Sequence, residues 1–258
     1  MSEPVLVTER RGNVLVLRLN RPEARNALNP ELMGAFGNAL ARAEEDAEVR
    51  AVVLTGTGDR AFCSGMDLAA FASGEKPTPE QQAGTAHFGR FIKGDIAVPI
   101  VGAINATAVA GGFELLMGCD VVVASAEAKF GLPEVKRGLF AAGGGIFLST
   151  RIPLAVALEM TLTGDYIDAE RAYALGLVNQ VVPPAEVLEA GIAMAERIAK
   201  NGPLALQATK ELVRLAVTDA KAAEEKQAEW SPKVFGSEDA KEGATAFIEK
   251  RDPVWKGR

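Results

Sequence analysis

A glutamate lies two residues after a glycine pair in an otherwise uncharged part of the chain. The stretch from Ile96 to Phe113 has no ionisable side chain, contains Gly111 and Gly112 near its end, and is followed by Glu114. Burying a carboxylate is costly unless it is paired or neutralised, so this glutamate either faces solvent or serves a pocket. A helix that begins at the glycines directs free N–H groups and the positive end of its dipole toward a ligand. Glu114 lies on the same face of the first turn, so the pattern predicts an oxyanion-binding site beside a carboxylate.

Two other segments offer groups of the same kind. In RAFCSGMDL (60–68) the chain leaves a predicted strand and turns at Ser64 and Gly65, which offers a second free backbone N–H. Two donors from separate strands can hold one carbonyl oxygen. In FGLPEVKRGL (130–139), Glu134 follows a proline at the end of a short predicted strand. Taken alone, Glu134 is also explained as an acidic residue that stabilises the start of a helix.

Other kinds of site have weaker support. GTGDRA (56–61) has the form of a dinucleotide-binding loop, but the following FCSGMDL does not predict the helix that such a loop needs. His87 is the only histidine, so a Ser-His-Asp or zinc site would depend on it, and a structural or solvated role explains it better. Cys63 and Cys119 lack a cationic neighbour in sequence, which favours small buried hydrophobic residues over nucleophiles. We therefore expect no metal.

The composition limits the partners and the compartment. The chain has 258 residues, 48% of them hydrophobic, and a formal charge of −6. This apolar content suffices for a large core, and the acidic excess argues against nucleic-acid binding. The cysteine usage and the absence of a leader-like start indicate a reducing cytoplasm. The uncharged run 96–113 is long enough for a membrane span, but its proline, asparagine and glycines favour a buried strand, a loop and a helix, so no membrane association is expected.

Strand and helix signals alternate along the first half of the chain. Short runs rich in β-branched residues and leucine predict buried strands at 14–20, 49–56, 99–105, 121–126 and 129–131. An Asn cap followed by proline predicts a helix over 29–46, and the alternation as a whole predicts an α/β fold. Beyond residue 145 amphipathic helical patterns dominate, so we predict an α/β core over 1–200 and a C-terminal helical region over 201–258. The Gly-, Pro- and Gln-rich segment 72–84 is expected to be either a mobile cover or a plain surface loop.

Taken together, these elements resemble the crotonase superfamily, also called the enoyl-CoA hydratase/isomerase family. The likeness spans nearly the whole chain. Six segments follow in the family's order and approximate spacing: LNRPEARNALN (19–29), RAFCSGMDL (60–68), AVAGGFELLMGCD (108–120), FGLPEVKRGL (130–139), TGDYIDAERAYALGLVNQVVP (163–183) and EGATAFIEKR (242–251). The resemblance implies a crotonase-like spiral of β-strands and helices with a C-terminal helical trimerisation layer. It also implies homotrimers, often paired into hexamers.

The resemblance assigns roles to individual residues. It implies that the N–H groups of Ser64 and Gly111 bind the thioester oxygen of an acyl-CoA. It further implies that Glu114 acts mainly as the base that activates water and that Glu134 delivers a proton to C2. Other residues are implied to contact the coenzyme A part of the substrate: Arg25, Ala27, Arg60, Gly65, Met66, Asp67, Leu68 and Lys250. The implied activity is that of an enoyl-CoA hydratase, which adds water across the 2,3 double bond of a 2-enoyl-CoA in fatty-acid β-oxidation or related metabolism; coenzyme A belongs to the substrate, and no separate cofactor is implied.

One position departs from the family's hydratases. They commonly have a proline-glycine step eight residues after the second glutamate, with the glycine beside the catalytic water, and this chain has Ala142 there. The added methyl group either crowds the water or indicates another substrate or reaction. A carnitinyl-CoA-type dehydratase and an enoyl-CoA isomerase therefore stay open as alternatives. A non-catalytic acyl-CoA-binding or RNA-binding family member is the alternative from another class; the carboxylate pair disfavours the first and the net charge disfavours the second.

Overall fold

The computed structural model of the protein describes residues 3–74 and 76–258. Within these residues the strands are β1 Leu6–Arg11, β2 Val14–Leu19, β3 Ala51–Gly56, β4 Ile100–Ile104, β5 Ala108–Val109, β6 Val121–Ser125, β7 Lys129–Gly131, β8 Ile167–Asp168 and β9 Gln180–Val182. The helices are α1 Pro30–Glu45, α2 Leu68–Ser73, α3 Pro79–Lys93, α4 Gly111–Gly118, α5 Leu154–Thr163, α6 Ala169–Ala174, α7 Val187–Ala199, α8 Pro203–Thr218, α9 Ala220–Phe235 and α10 Glu238–Glu249.

The main sheet has the order β1-β2-β3-β4-β6-β9 and is parallel except for the antiparallel pair β1 and β2. All residues of β3 are buried, which explains its continuous apolar sequence, because helices cover both faces of a parallel sheet. One face packs against α7 through residues such as Val53 and Ile192. The other face packs against α1, α3 and α4, where the ring of Phe36 meets that of Phe91 edge-on at 5.0 Å. The α/β class predicted from the sequence is confirmed.

Helices α1 and α3 approach each other through glycines. A Cβ built on Gly37 would overlap the carbonyl oxygen of Gly84, and a Cβ built on Gly84 would overlap the carbonyl oxygen of Gly34. The two backbones are therefore in direct contact, which brings Phe36 and Phe91 together in the core. This contact fixes the position of α3, one wall of the site described below.

The segment 72–84, predicted to be a mobile cover or a surface loop, is largely helical. Glu75 lies outside the described residues, but α3 already begins at Pro79. Thr78 accepts the N–H of Gln81 at 3.3 Å, and the Gln81 side chain accepts the N–H of Thr78 at 2.8 Å. This capping box starts a helix within a stretch whose Gly, Pro and Gln content suggests a loop. In the described part of the chain, no helix combines the length and the apolar character that crossing a bilayer requires.

A second, small sheet has the order β5-β7-β8. Strand β5 runs parallel to β7, with Val109 opposite Gly131. Because α4 follows β5 and a 3₁₀ turn over Pro133–Arg137 follows β7, the two ends lie side by side. The pairing of two short strands thus places Glu114 and Glu134 in the same region.

We expect Gly37→Ala to destabilise the protein by about 1 to 3 kcal/mol, because the methyl group forces α1 and α3 apart. Gly89→Ala is the matched control, since a Cβ built on Gly89 of α3 meets nothing within 4 Å. That control should instead stabilise the helix by about 0.5 to 1 kcal/mol. Chemical unfolding of the two variants measures both values, and equal effects would contradict the close packing.

Candidate active site

The candidate active site is built where three chain segments run side by side. On one side of β5, Phe62 donates its N–H to Thr107 at 2.9 Å, and Val109 donates to Cys63 at 3.2 Å. On the other side, Ala110 donates its N–H to Gly131 at 2.9 Å. The first predicted oxyanion loop, the start of α4 and the turn that carries Glu134 therefore all leave the same short ladder.

The backbone N–H of Gly111 is free, as the sequence predicts. In the first turn of α4, Phe113 and Glu114 both donate to the carbonyl oxygen of Ala110, and no described residue accepts the N–H of Gly111. The N–H of Ser64, in contrast, donates to the carbonyl oxygen of Arg25 at 3.1 Å. The prediction that Ser64 supplies the second donor is therefore wrong, because its N–H is already used within the fold.

Met66 provides the free N–H that Ser64 does not. Leu28 and Met66 form a parallel bridge in which Leu28 donates to Gly65 at 2.8 Å and Asp67 donates to Leu28 at 2.9 Å. This pattern turns the N–H of Met66 to the opposite side, where no described residue accepts it. A Cβ built on Gly65 would lie only 3.0 Å from the nitrogen of Gly111, so the two loops are in van der Waals contact.

Close approach of these loops requires small residues in unusual conformations. A Cβ on Gly112 would overlap the carbonyl oxygen of Cys63, so α4 begins directly against the first loop. Gly65 has a φ of +92° and lies against the side chain of Ala110. Ala110 itself has a φ of 51° and a ψ of −129°, which an L-residue rarely adopts. The strained backbone at Ala110 directs the N–H groups that follow it toward the cleft.

Glu114 is buried, with its side chain held by the loop after Glu134. Its Oε1 accepts the N–H of Gly145 at 2.9 Å, and there is no space for a side chain on Gly143, because a Cβ there would overlap Glu114 Oε2. Burial raises the pKa of Glu114, and the N–H groups of Gly145 and Gly143 oppose that rise. Ala142, the departure noted in the sequence, is exposed, and the neighbouring Gly143 is the residue that approaches the carboxylate.

Glu134 lies close enough to Glu114 for the two charges to interact. Its Oε2 is buried and has no hydrogen-bond partner among the described residues. Burial raises the pKa of Glu134 first of all, and the negative charge of Glu114 raises it further, while its own backbone N–H and Arg137 act in the opposite direction. A buried, unpartnered carboxyl oxygen with a raised pKa is available to exchange a proton with a ligand.

The predicted coenzyme A segment 19–29 is joined to the first loop. Arg21 forms an ion pair with Asp67 at 2.9 Å, with both side chains mostly buried. Asp67 also caps α2 by accepting the N–H groups of Ala69 and Ala70, and those bonds and Arg21 lower its pKa. Sequence reasoning missed Arg21. The carboxylate of Asp67 links the two segments through this ion pair and is therefore not free to bind a ligand.

The remaining predicted contact residues differ in their positions. Ala27 and Gly65 are buried at the joint, whereas the other side chains of this region are exposed and unpaired among the described residues: Arg25, Arg60, Met66 and Leu68. Lys250 is exposed at the C-terminal end of α10, and in the described chain it forms no hydrogen bond or ion pair with segment 19–29 through its side chain. Cys63 and Cys119 are fully buried, and burial raises the pKa of each thiol to about 12, so neither is a ready nucleophile.

Two free backbone N–H groups beside two interacting carboxyl groups define a class of enzyme that stabilises an enolate and transfers protons. The sequence matches the family described as Enoyl-CoA hydratase/isomerase over residues 9–258, and the chain belongs to that family. The resemblance seen in the sequence is thus confirmed.

Individual relatives cover the full length of the chain. It is 38% identical over 264 residues to a carnitinyl-CoA dehydratase of Proteus mirabilis, with 100% of both chains covered. It is 38% identical over 268 residues to an enoyl-CoA hydratase of Mycobacterium tuberculosis, covering 100% of this chain and 98% of the other. The fold matches the crystal structure of an enoyl-CoA hydratase from M. tuberculosis H37Rv with a TM-score of 0.90 at 41% identity over 99% and 100% of the two chains. It also matches that of a carnitinyl-CoA hydratase from M. avium, with a TM-score of 0.77 at 44% identity over 100% of both.

We expect Glu134→Gln to make the folded protein more stable at neutral pH. A raised pKa means that the folded state binds the Glu134 proton more tightly than the unfolded state does. Wild type therefore loses stability as pH rises from the unfolded value, about 4.3, through the higher folded value, and the variant does not. The melting temperature of the variant should exceed that of wild type by about 2 °C at pH 7.5 and by less at pH 4. Glu127→Gln, at an exposed turn, is the control; a constant difference across the pH range would contradict the raised pKa.

Proposed function

We propose that this chain is an enoyl-CoA hydratase, a hydro-lyase that reversibly adds water across the 2,3 double bond of a 2-enoyl-CoA thioester. The observation that carries the proposal is the convergence of the free N–H groups of Gly111 and Met66 with the carboxyl groups of Glu114 and Glu134. Full-length relatives and structural neighbours named enoyl-CoA hydratases support the same reaction.

The N–H groups of Gly111 and Met66 bind the thioester oxygen. Polarisation of that carbonyl makes C3 electrophilic, and negative charge collects on the oxygen as water adds. The N-terminal end of α4, which begins at Gly111, adds the positive end of its dipole at the same point.

The surroundings of the two carboxyl groups favour different protonation states. Glu114 is held by N–H groups of the loop 143–145, which stabilise the ionised form, so it is the base that takes a proton from water. Glu134 has an unpartnered oxygen and is next to the charge of Glu114, so it holds the proton and delivers it to C2. After one turnover the two groups exchange these states, and proton transfer with solvent restores them.

Coenzyme A occupies the side of the cleft formed by segments 19–29 and 60–68. The exposed cations Arg25 and Arg60 are suited to its phosphates, and Met66 and Leu68, 43% and 48% exposed, offer apolar surface. Lys250 reaches the nucleotide end only if the C-terminal helices of this or another subunit come close to that side.

A second candidate reaction is the dehydration of a carnitinyl-CoA type of thioester. It is favoured by the relative of Proteus mirabilis and the structure from M. avium, both named for carnitinyl-CoA. The same two carboxyl groups catalyse this elimination in the reverse order, so the acyl group and not the chemistry separates the two candidates.

We expect Glu114→Gln and Glu134→Gln each to reduce hydration of crotonyl-CoA by about 10² to 10⁴ in kcat, because each removes one proton-transfer step. Steady-state kinetics of both variants, with Glu127→Gln as control, measures the loss. Assay of 3-enoyl-CoA isomerisation in the same variants tests the isomerase alternative, since moving one proton between carbons needs only one of the two groups.

Two outcomes would reject the assignment. Hydration that survives the loss of Glu114 would remove the proposed base. Tight binding of crotonyl-CoA by wild type without turnover at any pH would instead indicate a protein that only holds acyl-CoA.

We also propose that the chain assembles into trimers or dimers of trimers, as the family resemblance implies. Helix α5 carries a stripe of exposed leucines at four-residue spacing, Leu154, Leu158 and Leu162, with exposed fractions of 62%, 45% and 70%. Phe140 and Ile146 are further exposed apolar side chains. An exposed leucine stripe of this kind is typical of subunit contacts, and the family resemblance implies that the partners are further copies of the chain.

We expect sedimentation of the wild-type protein to give a multiple of three subunits, and Leu158→Glu to shift it toward smaller species. A carboxylate in the centre of the leucine stripe would be desolvated in the contact. Arg42→Glu, an exposed charge change on α1, should leave the mass unchanged. A monomeric wild type at micromolar concentration would contradict the assembly.

A further inference from the structure

A cavity of about 750 Å³ extends from Glu114 toward the C-terminal helices. Its walls come from α3, from the 3₁₀ turn over 145–150, and from α8 with Trp230 of α9. Among the described residues Glu114 is the one carboxyl group of the site that lines it; Glu134 does not. The cavity is thus continuous with the place where C3 of the substrate would lie and is far larger than a four-carbon acyl group needs.

The inner wall of the cavity is rich in cations. The acids on its walls other than Glu114 are Asp95 and Glu211, and both are exposed at the rim. The deep wall carries Lys210, with 8% of its side chain exposed, and Arg214 with 27%. Both cations share the single carboxylate of Asp120, at 2.7 Å each, so the inner wall has an excess of positive charge.

Arg151 adds a third cation to this inner wall and has no acid of its own. One of its N–H groups donates to the carbonyl oxygen of Met117 at 3.1 Å, and it forms no ion pair within the described chain. Burial lowers the pKa of Arg151, and the neighbouring Arg214 lowers it further. Arg214 likewise binds the carbonyls of Gly118 and Cys119.

Capping of α4 explains only part of this arrangement. Cations near the C-terminal carbonyls of a helix are stabilising, and the two arginines meet that condition. A guanidinium has five N–H groups, however, and Arg151 uses one of them on a protein acceptor. The others are suited to a planar carboxylate, which would also offset the repulsion between Arg151 and Arg214.

The contact of Arg151 with Met117 of α4 determines how long an acyl chain must be to extend from Glu114 to Arg151. Met117 lies three residues after Glu114, which corresponds to about 4.5 Å along the helix axis. The guanidinium bound to its carbonyl therefore lies about one helical turn beyond Glu114. An acyl chain that has C3 at Glu114 needs several further carbons to bring its end to Arg151, so medium-length chains fit best.

We propose that this cavity receives an acyl group whose far end carries a carboxylate, and that Arg151 binds this carboxylate and sets the enzyme's substrate preference. The inference rests on the proposed hydratase function and specifies its substrate class as 2-enoyl thioesters of medium-chain dicarboxylic acids. An acyl group that ends in a quaternary ammonium is disfavoured, because it would meet the cations of the inner wall.

The experiment compares pairs of thioesters of equal length that end in a carboxylate or in a methyl group. For wild type we expect kcat/KM for the carboxylate-ended 2-enoyl-CoA to exceed that of its methyl-ended partner by about tenfold or more, the value of one charge-assisted hydrogen-bonded contact. Carnitinyl-CoA should be a poorer substrate than either. A ratio of one or less in wild type would overturn the proposal while leaving hydration of crotonyl-CoA intact.

Variants of Arg151 distinguish its binding of the substrate carboxylate from its stabilisation of α4. Arg151→Gln should bring the ratio close to one, Arg151→Lys should keep part of it, and Arg197→Gln, an exposed change on α7, should keep all of it. A loss of α4 support would lower activity on crotonyl-CoA and on both members of each pair equally, and so would not change the ratio. A preference that survives Arg151→Gln would overturn the role of Arg151, and if that variant does not fold, Arg151→Lys carries the same comparison.

Binding without turnover distinguishes the two proposals. Calorimetry with saturated carboxylate-ended and methyl-ended acyl-CoA gives a Kd ratio that does not depend on catalysis. If no thioester is hydrated but the Kd ratio favours the carboxylate and falls in Arg151→Gln, the hydratase function fails and the cavity assignment stands. Equal Kd values in wild type would overturn the cavity assignment.

Discussion

The parallel pairing of β5 with β7 is the interaction on which the site depends. Each strand is only two or three residues long, yet β5 also bonds to the segment 62–63 on its other side. The first loop, the start of α4 and the turn with Glu134 therefore leave one ladder in fixed relation. A catalytic arrangement must be held within fractions of an ångström, and a hydrogen-bonded ladder provides this more rigidly than free loops would.

The electrostatics of the site follow from how these ends are packed. Burial raises the pKa of both glutamates, so the fold loses stability wherever either is ionised. The two environments then differ in their donors: the loop 143–145 directs N–H groups at Glu114, and Glu134 has an oxygen without a partner. This difference, rather than any difference in residue type, allows one carboxyl group to act as base and the other as acid.

Helix α4 connects the chemistry with the cavity behind it. Its N-terminal end offers free N–H groups and carries Glu114, whereas its C-terminal carbonyls bind Arg151 and Arg214. The helix is only eight residues long, so both ends lie within one substrate length of each other. A single short helix can therefore bind the reacting carbonyl at one end and influence recognition of the acyl end at the other.

The sequence by itself determined the α/β class, the free N–H of Gly111 and both glutamates as candidate groups, because glycine pairs, helix starts and strand patterns act over a few residues. It did not predict β1, or the helix that begins at Pro79 within an apparent loop. It assigned the second donor to Ser64, but in the tertiary structure the free N–H belongs to Met66. The reason is that hydrogen bonds of the first loop with Arg25 and Leu28 determine which of its N–H groups are already used. The cation-rich cavity joins residues more than a hundred positions apart, and no local pattern contains that information. The sequence determines which chemical groups are present and how they lie within a few residues of each other. Folding brings distant residues together, and only these contacts determine which donors, acids and cations remain free.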